Sequence, residues 1–127
     1  MKKISWITHP QYDIPLPKNH KFTSSKFSDL YKELKTKDFY KNAVILKPNK
    51  ASVNELEIVH DNEYILKVHN GTLSEKEIRR LGFNWSEILS NRSFLAVNGT
   101  LLTCMEALNN NIACHLAGGT HHAHKDY

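Results

Sequence analysis

The sequence predicts an α/β fold in which helices pack around a short parallel sheet. Three observations carry that prediction. Short apolar runs of strand length recur at Ile4–Ile7, Ala43–Leu46 and residues 112–116. Between them lie segments whose apolar residues fall three and four apart, the spacing of a helix face. Strands that alternate with helices in this way pair in parallel through right-handed crossovers. At 127 residues the chain is expected to form a single domain, 1–127, with a modest core. It contains no repeat, low-complexity tract or linker that would divide it.

The elements follow in order. Ile4–Ile7 contains Trp6 and starts the sheet. In the loop at residues 12–20, Pro15 and Pro17 withdraw backbone donors and exclude regular structure. Phe27, Leu30, Tyr31 and Leu34 share one helical face with lysines opposite. Ala43–Leu46 is a second strand, stopped by Pro48 and Asn49. Ser52 and Glu55 form a capping box, each side chain reaching the other's free amide, and Ser74 and Glu77 repeat it before Leu81 and Gly82. Between the two boxes, Asp61 is placed to cap a helix carrying Tyr64, Ile65 and Val68 and ending at Asn70-Gly71. Phe94, Val97, Leu101, Met105 and Leu108 predict a long buried helix, with Met105 read as core. Asn109, Asn110 and Asn111 supply a left-handed stop before the third strand.

Composition narrows the function classes. Hydrophobic residues make up 40% and charged residues 24%, ordinary values for a soluble domain. The net charge of +4 and pI near 9.1 raise the question of nucleic acid. However, Asp29, Glu33 and Asp38 interrupt the lysines between Lys26 and Lys50, and no nucleic-acid motif accompanies them, so no such partner is expected. No apolar run approaches the roughly 18 residues of a membrane span, and no signal-peptide core follows Met1-Lys2-Lys3. A cytoplasmic protein without a membrane partner is expected. The two cysteines, Cys104 and Cys114, form no CxxC pair. They read as reduced and structural, and a cysteine zinc site is not expected.

Residues 116–124, Leu-Ala-Gly-Gly-Thr-His-His-Ala-His, concentrate the chemistry. They follow the third strand, and in open α/β sheets ligands bind outside the carboxyl ends of strands. Gly118 and Gly119 permit a sharp turn and close approach to a ligand. His121 and His122 supply two proton-transfer groups with an ordinary pKa near 6.5. Composition alone leaves two blander readings open, a polar loop of solvated histidines or loose metal affinity in a His-rich tail. An improvised metal site from His115, His121, His122 and His124 is disfavoured, because adjacent histidines rarely chelate one ion.

The Gly-Gly-Thr-His-His stretch resembles the Gly-Gly-x-His-His element of zinc-dependent deacetylases, the family of histone deacetylases, acetylpolyamine amidohydrolases and acetoin-utilisation proteins. Further resemblances follow in family order. Residues 5–10 with Pro15-Leu16-Pro17 and His20-Lys21-Phe22 resemble the opening segment. Val59-His60-Asp61 with Tyr64-Ile65 resembles the His-Asp-x-x-Tyr element. Residues 73–86 are similar to the class IV and bacterial branch, and residues 97–100 to a Val-Gly-Gly-Thr helix.

The resemblance implies the N-terminal part of a three-layer arginase/deacetylase-like fold, with strand order 2-1-3. It implies hydrolysis of an acetylated amine, in which His121 orients and polarises a water and His122 acts as general base and then general acid. Gly119, Asn84 and Lys21 fall at substrate-binding positions. Asn84 stands where many members have an aspartate at the pocket rim. Lys21 stands where an arginine often lines a channel for acetate, and lysine lacks the planar fork. Asn98 replaces a helix glycine, which implies looser packing there. The family's zinc ligands, an Asp-x-His pair and a second Asp, lie downstream of the tandem histidines. No zinc and no other cofactor are therefore expected in these 127 residues, which read as a truncated catalytic domain that is inactive alone. The alternative is a non-catalytic, homo-oligomeric or regulatory module. Self-association is expected through the third strand or the helices beside it, because an uncovered strand edge templates pairing.

Overall fold

The apolar runs become strands and the amphipathic segments become helices. The computed structural model describes residues 3–119 and 123–127. In chain order these form β1 (Ile4–Ile7), α1 (Lys26–Lys35), β2 (Ala43–Leu46), α2 (Val53–Glu57), α3 (Asn62–Asn70), α4 (Glu75–Leu81), α5 (Glu87–Asn110) and β3 (Ala113–His115). Short 3-10 turns at Pro10–Tyr12 and Asp38–Asn42 precede α1 and β2. The strands make one parallel sheet in the order β2-β1-β3, flanked by helices, as expected. Ser5 sits opposite Val44 on one side and Ala113 on the other. β1 is the central strand, and its Ile7 is completely buried. No helix among the described residues is long and apolar enough to cross a membrane.

Local chemistry explains the helix boundaries. Both capping boxes form, with Ser52 and Ser74 accepting from the amides of Glu55 and Glu77. α5 begins at Glu87, well before the apolar stripe that announced it, because Ser86 caps it by accepting from the Leu89 amide at 3.1 Å. Asn111 ends α5 in the left-handed conformation at φ 68, the position asparagine fills when glycine does not. Asp61 sits at the cap of α3, but its carboxylate makes no cap bond there. It pairs instead with Lys125 at 2.8 Å.

The stripe on α5 corrects the sequence reading. Phe94 is buried, but Val97, Leu101, Met105 and Leu108 are 36, 41, 60 and 85% exposed. The face turned to the sheet carries Arg92, Ala96 and Gly99, and Thr103 and Glu106 continue it. Ser5 donates to the Glu106 carboxylate at 2.5 Å, which holds the far half of the helix against β1. Apolar periodicity locates an apolar face but does not say what lies against it. The Asn98 side-chain amide donates to the Asn49 carbonyl at 2.9 Å and ties the helix to the loop after β2.

One ion pair gives a pH signature. Lys67 bonds Glu63 at 2.8 Å and Glu77 at 2.9 Å. With Lys67 as the largest cause and Ser74 as the next, the Glu77 carboxyl is held down from its ordinary 4.5 to about 2. A depressed carboxylate contributes stability above its unfolded pKa and loses it as pH falls through the folded value. Acid titration followed by α4 amide signals should therefore show loss between pH 4.5 and about 2. In Lys67→Met the loss should move to higher pH. An identical titration in that variant would contradict the pairing.

Candidate functional site

The carboxyl ends of β1 and β3 lie side by side, and a polar cluster forms where their exit loops meet α5. The turn at Pro10–Tyr12 drives Tyr12 inward until it is almost wholly buried. Its hydroxyl lies 2.9 Å from His115 Nε2, at the end of β3. The approach depends on Gly99, since a Cβ there would come closer than 3.0 Å to both the Tyr12 hydroxyl and the His115 ring. Thr100 Oγ1 donates to the Ala96 carbonyl at 3.2 Å and lies 3.3 Å from His115 Nδ1. With its proton committed, the Thr100 oxygen accepts from Nδ1–H. His115 is then the Nδ1–H tautomer, and its Nε2 accepts from Tyr12.

The electrostatics agree with that assignment. Burial, and secondarily the Arg92 charge, lowers the His115 pKa, so the imidazole is neutral at pH 7. Burial pushes the Tyr12 hydroxyl up to about 12, with Arg92 acting in the opposite direction. Arg92 is 3% exposed. Its Nε–H donates to the Tyr12 carbonyl at 3.1 Å and its Nη2–H to the Gly118 carbonyl at 2.6 Å. The guanidinium lies 5.0 Å from the centre of the Phe27 ring. Among the described residues no carboxylate pairs with it. The two carbonyls and the ring face offset part of the cost of burying this cation.

Beside the cluster opens a cleft of about 550 Å³, walled by Tyr64, Phe83, Trp85 and Val97, with Arg92 and Thr100 among its polar lining. Gly119 and Ala123, which flank the tandem histidines in sequence, both line it. The segment after Ala123 is tied down on the far side. The Lys125 carbonyl accepts from the Asp61 amide at 2.9 Å and from His60 Nδ1 at 3.3 Å. The Tyr127 ring stacks on His124 with centroids 4.1 Å apart and has the Arg80 guanidinium 3.5 Å from its centre.

The residues singled out from sequence are distributed unevenly around this cleft. His121 and His122 lie outside the described residues. Asn84 is exposed between the cleft-lining Phe83 and Trp85. Lys21 is exposed and does not line the cleft, although its neighbours His20 and Phe22 pack on Phe83 at 5.5 and 5.9 Å. Neither Gly118 nor Gly119 takes the left-handed conformation expected of a sharp turn, and a Cβ on either would meet no described atom within 4 Å. The buried Tyr12, Arg92 and Gly99 and the half-buried His115 went unrecognised as a cluster. A signal existed for part of it: Arg92, Ala96 and Gly99 fall at helical spacing and mark a second, less apolar face of α5. Among the described residues no three His, Cys, Asp or Glu side chains converge as metal ligands would.

Comparison with known proteins places these features in context. Residues 20–127 match the model of the histone deacetylase domain. The chain is 37% identical over 121 residues to an uncharacterized protein of Picosynechococcus sp., an alignment covering 95% of this chain and 40% of that protein. It is 27% identical over 131 residues to histone deacetylase 2 of Arabidopsis thaliana, covering 96% of this chain and 34% of that protein. The chain thus spans well under half the length of either relative.

Proposed function

Because this chain belongs to the histone deacetylase domain family, we propose that it carries the proton-handling part of a zinc-dependent deacetylase acting on acetylated amines such as acetyl-lysine or acetylpolyamine. The observation that supports this most is the position of the β3 exit loop. Its Gly118 carbonyl is anchored to Arg92, and Gly119 and Ala123, on either side of the tandem pair in sequence, line the cleft. In this reading His121 orients a water toward the amide carbonyl carbon. His122 takes a proton from that water as the carbon–oxygen bond forms. It returns the proton to the amine nitrogen as the carbon–nitrogen bond breaks, releasing acetate and free amine. Asn84 at the rim accepts from the substrate backbone through its carbonyl. The described residues do not fit a zinc cage.

The 127-residue chain is expected to hydrolyse acetyl-lysine and acetylpolyamine no faster than buffer, with or without added zinc. A coupled acetate assay checks this. Zinc-dependent turnover that disappears in His122→Ala would contradict it, because the chain would then hold a complete site.

A second reading, a homo-oligomeric interaction module, is favoured by a different observation. Among the described residues β3 pairs only with β1, and the exposed stripe on α5 lies close by, followed by the half-exposed Ile112. Unpaired edges and apolar patches of this kind promote association, and twofold dimers dominate soluble homo-oligomers. Sedimentation at micromolar concentration should show a dimer or higher species. A clean 14.6 kDa monomer would rule that module out.

A further inference from the structure

We propose that Arg92 is a positioning residue whose guanidinium ties the Tyr12 and Gly118 carbonyls together and so fixes the loop that leaves β3. Its Nε–H and Nη2–H reach those two carbonyls at 3.1 and 2.6 Å. Both donors belong to one planar group, so the separation of the two carbonyls is set by a rigid fork. The Phe27 ring centre lies 5.0 Å from the guanidinium carbon, within cation–π reach.

Packing alone does not account for an arginine here. An apolar side chain of similar volume generally does as well or better than a buried ion without an acidic partner. An apolar residue cannot hold two carbonyls at once.

Tyr12 serves both ends of the loop. Its hydroxyl meets His115 at 2.9 Å, and its carbonyl is bridged through Arg92 to Gly118. The exit of β3 is thereby held at His115 and again at Gly118, closing a ring through Tyr12 and Arg92. The second tie falls where the chain is weakest, because Gly118-Gly119 loses more conformational freedom on ordering than any other dipeptide would. The consequence for chemistry rests on the reading of His121 and His122 as the proton-handling pair. They follow this anchor directly in sequence, and displacements of about 1 Å in a catalytic group cost on the order of 10²-fold in rate.

The test uses the whole chain and two variants. Arg92→Lys keeps the charge and loses the fork, whereas Arg92→Met fills the space of the stem. Hydrogen exchange of residues 117–124 should quicken about tenfold in both, while the amides of β1 and β2 keep their protection. The pH profile of carbethoxylation at His121 and His122 should change as well, with that of His69 unaltered. The proposal is overturned if either folded variant leaves both readouts as in the parent. It is also overturned if protection of β1 falls by the same factor as that of residues 117–124, which would mark a general structural role. Should neither variant fold, the parent decides. A slowly exchanging Arg92 Nε–H signal at neutral pH supports the clamp, and free exchange rejects it. These readouts do not depend on deacetylation, whereas an error in the catalytic reading would show only as unaltered turnover in His122→Ala once a family segment bearing the Asp-x-His ligands is joined to the chain.

Discussion

Gly99→Ala is expected to destabilise the fold by about 2 kcal/mol or more, against the direction of helix propensity. In an ordinary helix interior the exchange gains roughly 1 kcal/mol. Here the new Cβ would lie closer than 3.0 Å to the Tyr12 hydroxyl and the His115 ring. Neither group can step aside cheaply. Tyr12 is 1% exposed in a packed cluster with Phe27, Leu95 and Ala96, and His115 is fixed on a strand. Overpacking of this kind costs about 1–3 kcal/mol. Separating the pair also strands a buried hydroxyl, which costs about 1–3 kcal/mol more. The sum exceeds the propensity gain. Denaturant titration of Gly99→Ala beside Gly118→Ala and Gly119→Ala provides the check, because a Cβ meets no described atom within 4 Å at either of the latter positions. A stabilised Gly99→Ala variant would show that α5 shifts freely and that the cluster is loosely held.

The same cluster shows where sequence reasoning stops. Ile4–Ile7 and Ala43–Leu46 form strands with the bounds their apolar runs predicted, and both capping boxes close as their spacing required. These are local features, written in residues a few positions apart. The order of the strands came from family resemblance, since periodicity says nothing of which strand lies in the middle. The bond from Arg92 to the Tyr12 carbonyl joins residues 80 apart in sequence. Such a bond depends on the folded topology and leaves no short-range pattern. The exposed stripe on α5 is a failure of another kind. Its spacing was read correctly as one helix face, but the spacing of an apolar face is the same whether that face is covered or open. Among the functional candidates, Asn84 is exposed between Phe83 and Trp85, which line the cleft. His121 and His122 were singled out through the resemblance to the Gly-Gly-x-His-His element, since their setting alone left a bland polar loop open, and they lie outside the described residues.

The role given to His122 carries the second large effect. A general acid–base group contributes about 10²–10⁴-fold in rate, whereas loss of a metal ligand removes the metal itself. The measurement that separates these is made on the 127 residues joined to a family downstream segment bearing the Asp-x-His ligands. Acetyl-lysine turnover and bound zinc are determined together for the parent and for His122→Ala. Turnover should fall about 10²–10⁴-fold while zinc stays at the parent stoichiometry. Zinc lost in step with activity, or turnover left unchanged, would contradict the assignment of His122 to proton transfer.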